Sequence, residues 1–168
     1  MTEPARPGRL IGIARRSAPR APMEEIEEGR ISLEAGLEGD HKGPKFPLRR
    51  ITVLAREAWE AALAELDGAS GPVRLPWTAR RANLLVEGVA LPRARGGILR
   101  IGPVRLEVTY PTQPCRRMEE AHAGLLKALH PEWRGGITCR VLEGGDVRLG
   151  NEVEILLSPL ERTLELPG

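Results

Sequence analysis

This sequence predicts a mainly β fold of the α+β class: a mixed, largely antiparallel sheet or barrel with two or more inserted helices. Three observations carry that reading. Short alternating or β-branched runs outnumber helical ones, and strands and helices do not follow the regular βαβ alternation of a doubly wound sheet. The 168 residues include 19 glycines and 15 prolines. Together these make up about a fifth of the chain, which suits many turns and stays below the roughly 25–30 % that marks disorder.

Residues 1–8 read as a loose tail and 9–168 as a single domain, of a length able to bury about two thirds of its surface. "RLIGIAR" (9–15) is a first strand and 16–22 a Pro/Ser/Arg loop. "GRISLEAGLEGD" alternates at Ile31, Leu33 and Ala35 and ends in the turn residues Gly36, Gly39 and Asp40. "RRITVL" (49–54) is β-branched and short, so it is a strand. "AREAWEAALAEL" sets Trp59, Ala62, Leu63 and Leu66 at helical spacing, with Gly68 and Gly71 as stops. Then come the strand "RANLLVEGV" and the pair "GGILRIG" and "VRLEVTY" turning at Gly102-Pro103. A second helix over 115–129 shares one face among Met118, His122, Leu125 and Leu129. "ITCRVLEGGDVRL" reads as a hairpin around Gly144-Gly145-Asp146, and "NEVEILL" as the last strand. Aromatics are 3 %, so aliphatic side chains must build the core.

Composition excludes several function classes. A formal net charge of +2, with one Phe and one Tyr, gives neither the basic face nor the stacking rings of a nucleic-acid binder. No apolar run is long enough for a signal peptide or membrane span. Cys115 and Cys139 form no CxxC pair and make a poor disulfide framework. A cytoplasmic protein with reduced thiols and no membrane partner is expected. His41, His122 and His130 offer no close ligand pair for zinc, and no GxSxG marks a serine hydrolase.

The chemistry concentrates at "TYPTQPCRRMEEAH". Pro114 suits the first turn of a helix, and Cys115 falls in that turn with Arg116 and Arg117 behind it. Unpaired helix N–H groups and two guanidiniums favour thiolate, the form that attacks electrophiles or binds metal. Cys139, alternating with Ile137 and Val141, belongs to the core instead. Arg80, Arg81 and Asn83 stand before an apolar strand, where two guanidinium forks and an amide can bind an anion. "GLEGDHKGPKFPLRR" gathers Asp40, His41, Lys42, Lys45, Arg49 and Arg50 in a glycine-rich candidate ligand loop that lacks P-loop order.

Taken in order, "GLEGDHKG", "RRITVLAREAW", "RRANLLVEGVAL", "LRIGPVRLEVTYPTQPC" and "GGITCRVLEGGDVRLGNEVEI" resemble the MOSC domain, named after the C-terminal domain of molybdenum cofactor sulfurase. The resemblance runs from about residue 30 to 156. It implies a barrel-like fold that binds the molybdenum pterin cofactor, with Cys115 in the place of the family's molybdenum ligand or sulfur carrier. It also implies that Arg81 and Asn83, the ends of an Arg-x-Asn, help to hold the cofactor. Thr112 and Gln113 would line the site, and the Asp40/His41 loop matches a family signature. A soft thiolate suits a metal that also takes sulfur from the pterin.

Neither the pyridoxal phosphate half of the sulfurase nor an iron–sulfur cysteine cluster is present in these 168 residues. A stand-alone member would borrow electrons from a reductase or sulfur from a cysteine desulfurase, as a monomer or homodimer. The leading expectation is a small reductase of N-hydroxylated compounds acting on a small-molecule substrate. The alternatives are a persulfide carrier or cofactor-delivery protein working through Cys115, and a non-catalytic interaction domain.

Overall fold

The computed structural model describes residues 7–66, 73–112 and 115–159. Its strands are β1 (Gly8–Arg15), β2 (Glu24–Ile26), β3 (Glu28–Ser32), β4 (Gly36–Leu37), β5 (Ile51–Ala55), β6 (Leu84–Glu87), β7 (Ile98–Ile101), β8 (Val104–Pro111), β9 (Ile137–Glu143), β10 (Gly145–Arg148) and β11 (Glu152–Leu157). The helices are α1 (Arg56–Glu65), α2 (Arg116–Ala121) and α3 (Leu125–Leu129). Among the described residues no helix is long and apolar enough to cross a membrane.

One sheet runs β11-β7-β8-β9-β5-β6-β1-β2, and a further β11–β1 pairing closes seven of these strands into a mixed barrel, leaving β2 outside the ring on β1. Among the described strands only β5 and β6 run parallel, with Val53 opposite Leu84 and Ala55 opposite Val86. A parallel pair needs a crossover, and α1 lies in it. The barrel interior is aliphatic, as the shortage of aromatics demands: Leu10, Ile51, Val53, Leu84, Leu99, Leu106 and Ile137 are buried there. A second core forms on the barrel's outer wall, where Trp59, Ala62, Met118, Leu125 and Leu129 of the helices cover Leu54 and Leu85.

Four local expectations are corrected. Gly8, placed in the tail, already belongs to β1, because Gly8 pairs with Val153. The alternation at Ile31, Leu33 and Ala35 breaks after Ser32, and Leu33 stands 52 % exposed in the turn between β3 and β4. The helix over 115–129 is two helices, because Gly124 takes φ 89° and Glu119 folds across the break to accept from the Gly124 and Leu126 N–H groups. The hairpin around Gly144-Gly145-Asp146 does not form. β9 pairs with β5 and β8, while β10 leaves the barrel and pairs with β3 in a separate three-stranded sheet with β4. Gly144 permits that departure, since a Cβ there would come 2.5 Å from the Ile31 carbonyl. Gly68, Gly71, Pro114 and residues 1–6 of the tail lie outside the described residues.

Candidate functional site

A cavity of about 380 Å3 opens beside β5, and its walls come from six segments of the chain. Thr52 is the second residue of β5, Arg16 directly follows β1, Asn83 directly precedes β6 and Thr112 directly follows β8. The loop after β4 contributes Asp40 and Lys42. A 3-10 turn over Trp77–Arg80 contributes Arg80 and Arg81, and the start of α2 brings Cys115, Arg117 and Met118.

Local backbone geometry sets the two adjacent arginines apart. The 3-10 turn closes on Arg81 in the left-handed region (φ 66°, ψ 31°), with its N–H donating to the Thr78 carbonyl at 3.0 Å. This conformation costs a non-glycine residue of the order of 1–2 kcal/mol and gathers at functional sites. Arg80 turns inward and is 5 % exposed. Its Nε donates to the Gly135 carbonyl at 2.9 Å, and its Nη2 is buried with no partner. Arg81 donates from Nη2 to the Ala21 carbonyl at 2.9 Å, while its Nε, like the Thr112 hydroxyl, is buried and unpartnered. Buried polar atoms are nearly always satisfied in native proteins. Three orphans on one cavity wall therefore point to a polar guest.

The charges agree. Arg16, Lys42, Arg80, Arg81 and Arg117 line the cavity against a single carboxylate, Asp40. Asp40 itself is 6 % exposed and holds the Arg16 backbone N–H at 3.1 Å. Burial pulls the Arg80 pKa down to about 10, with only Cys115 favouring its charge. Lys42 is lowered by burial and then by Arg49, Arg16 and Arg80, against the opposing pull of Asp40. Burial, Arg16 and Arg117 lower Arg81, with Cys115 and Asp40 opposing. A bound oxyanion would reverse these penalties and use the orphaned donors.

Cys115 is exposed and stands as the N-cap of α2, in extended geometry, instead of inside its first turn. Cys139 is fully buried, and burial raises its thiol pKa, as a core cysteine should show. Of the residues picked out in the sequence, Cys115, Arg80, Arg81, Asn83, Thr112 and Asp40 share the cavity. Asn83 sits there with its amide engaged: Oδ1 accepts from the Thr52 N–H at 2.9 Å and Nδ2 donates to the Ala14 carbonyl at 3.3 Å, stitching β5 to β1. His41 and Arg50 are not among the lining residues. His41 Nε2 meets Lys45 Nζ at 3.1 Å, and Arg50 donates to the Gly43 carbonyl at 2.7 Å, shaping the loop from behind. Gln113 lies outside the described residues. Arg16 went unnoticed in the sequence, since its arginine- and proline-rich loop carries no motif.

A second cavity, about 470 Å3, is lined by Ala55, Glu57, Val89, Leu91, Trp133 and Ile137 among others and holds no candidate site residue selected from the sequence.

Residues 40–154, more than half of the chain, match the model of the MOSC domain. The chain belongs to the MOSC domain family. Among solved structures, this MOSC chain superposes on the YuaD protein of Bacillus subtilis with a TM-score of 0.66 at 18 % identity, covering 89 % of this chain and 96 % of that one. YiiM of Geobacillus stearothermophilus gives 0.66 at 17 % identity over 90 % and 76 % of the two chains. YiiM of Escherichia coli gives 0.60 at 21 % identity over 89 % and 70 %. At these identities the likeness is one of fold. No curated protein matches the chain. MOSC domains are associated with the molybdenum cofactor, and the cavity fits such a group: unpaired buried donors for a phosphate, a volume within the 300–1,000 Å3 of ligand pockets, and a thiol at the edge. Among the described residues no group of three His, Cys, Asp or Glu side chains could hold a metal ion. A metal here would need a ligand set of its own, which a pterin dithiolene provides.

Proposed function

We propose that this MOSC protein binds the molybdenum pterin cofactor and acts as a small reductase of N-hydroxylated compounds. The observation that carries the reading is that Arg80 Nη2, Arg81 Nε and Thr112 Oγ1, all buried and unpaired, belong to residues lining the cavity that Cys115 borders. Arg80 and Arg81, with Lys42 and Arg16, would hold the phosphate, and Thr112 would donate its hydroxyl. Cys115 would be the single protein ligand to the metal, a soft thiolate matched to a soft site. Asn83 fixes the position of the wall through its bonds to β1 and β5.

When bound, the cofactor supplies two-electron redox chemistry at the molybdenum. The protein's share is electrostatic and geometric. Burial of Arg80 strengthens its attraction for an anion, because the local dielectric is low. Cys115, at the boundary between cavity and solvent, leaves the other side of its sulfur open to a small substrate. The overall change converts a hydroxylamine-type R–NH–OH, two electrons and two protons into R–NH2 and water. The electrons come from a separate reductase, since the chain has no cluster-forming cysteine set.

Protein purified from a host that makes the cofactor, beside Cys115→Ala, provides the test. Near one equivalent of molybdenum and released pterin in the wild type, lost in the variant, is the expected result. Turnover of a hydroxylamine-type substrate with a competent reductase should follow. Loaded protein that never turns one over removes the reductase reading.

The exposure of the Cys115 thiol favours one second reading, a persulfide carrier loaded by a cysteine desulfurase. It predicts cyanide-labile sulfur on Cys115 after incubation with a desulfurase, and well-folded protein without it excludes this role.

A further inference from the structure

Cys115 and Arg117 border two concavities, and only one of them is the cavity described above. The other is an open groove of about 590 Å3 lined by Arg20, Cys115, Arg116, Arg117 and Glu120. Its three arginines face one carboxylate, and among the described residues none of the three guanidinium groups has an ion-pair or hydrogen-bond partner. Several arginines elsewhere are ion-paired one by one, Arg15 with Glu24, Arg30 with Asp146, Arg100 with Glu154 and Arg134 with Glu65, whereas the groove gathers three together. The groove is also built in advance. Arg16 Nη1 donates to the Pro19 carbonyl at 3.0 Å and Arg81 Nη2 to the Ala21 carbonyl at 2.9 Å, so the backbone on both sides of Arg20 is tied to inner-cavity arginines.

We propose that this outer groove is a second anion subsite, which recognises a carboxylate or phosphate on the molecule brought to Cys115. It is separate from the anion site of the inner cavity. The inner cavity has its own orphaned donors at Arg80, Arg81 and Thr112. Arg20 and Arg116 belong to the groove alone. Two oxyanions held in two concavities that share Cys115 describe a protein that fixes its resident group in one and selects an acidic partner molecule in the other. The inference rests on the reductase reading only in naming that molecule a substrate; the anion subsite itself stands on the groove.

The experiment needs no metal, so its failure and the failure of the reductase reading are separable. The full chain, purified from a host that does not make the cofactor, is alkylated with iodoacetate, an anion, and with neutral iodoacetamide. Buried Cys139 serves as the unreactive internal control. Charge steering raises rates by 10- to 1,000-fold in strongly focused sites. The expected iodoacetate-to-iodoacetamide rate ratio is therefore about 10 times that of a free cysteine. The double variant Arg20→Ala/Arg116→Ala should lower the iodoacetate rate at least about fivefold and leave iodoacetamide within about twofold. A ratio unchanged in that variant overturns the proposal. So does a preference that disappears in Arg80→Met while surviving in the double variant, because the inner cavity would then be the source of the attraction. Both variants are checked by thermal melting.

Discussion

Burial of Arg80 works against its charge in the unliganded protein. It pulls the Arg80 pKa from the ordinary guanidinium value down to about 10, so between the two the unfolded chain binds more protons and stability rises with pH. Below that window, including neutral pH, the penalty is present in full. Replacing a buried, incompletely paired charge by an apolar side chain of similar length is often neutral or stabilising. Arg80→Met should therefore melt no lower than the wild type while losing most of the thermal response to added pyrophosphate; a drop of several degrees would make Arg80 a structural strut instead. Asn83 behaves in the opposite way. Asn83→Ala leaves the buried Thr52 N–H and Ala14 carbonyl without their partner and should lower stability by about 2–4 kcal/mol in urea denaturation. Both residues stand out in the sequence as polar groups before an apolar strand. Their division of labour does not, because it depends on which backbone groups of β1 and β5 arrive beside them. Cys115, singled out by its neighbours, borders the cavity, whereas His41 and Arg50 do not line it, because a charged glycine-rich loop looks alike whichever side chain turns inward.

Among the elements, short strands and the long amphipathic helix α1 follow directly from periodicity, whereas two readings failed on information the pattern cannot hold. Met118, Leu125 and Leu129 keep a helical spacing across the break at Gly124, since a one-turn interruption returns the chain to the same face. What marks the break is Glu119, whose carboxylate serves as the acceptor for the start of α3. Glu119→Ala should cost about 1 kcal/mol, the scale of a lost helix cap, read from the thermal midpoint; an unchanged midpoint would show that packing of Leu125 and Leu129 suffices. The missed pairing of β10 is of another kind. Residues 145–148 meet residues 28–31, far back in the chain, and no local turn signal encodes so distant a partner.

For the molecule as a whole, the uncompensated charge around the cavity makes stability depend on small anions. A ligand that binds only the folded state at about 100 times its Kd adds roughly 2.7 kcal/mol, or some 5–10 °C in Tm for a chain of this size. Pyrophosphate should raise the wild-type midpoint on that scale, and the effect should shrink as sodium chloride is raised, because exposed members such as Arg117 are screened. A salt-independent shift would assign the effect to buried Arg80 alone. The fold class, a mixed barrel with inserted helices, was readable from the sequence because it depends on many short strands and not on any single one.

The β1–β11 pairing closes the ring through a short ladder, Gly8 with Val153 and Arg9 with Glu152, continued by Leu10, which bonds to Asn151 and Gly150 just before β11. Those partners are separated by almost the entire described chain, so the closure entropy is met last and closure cannot precede release of β11 from the ribosome. Until then the nascent protein is an open sheet whose β1 and β7 edges offer unpaired backbone to any neighbouring chain. The seam is thus the point of greatest exposure during synthesis. Substitutions around residues 8–9 and 152–153 should be felt in the yield of soluble protein before they are felt at the cysteine.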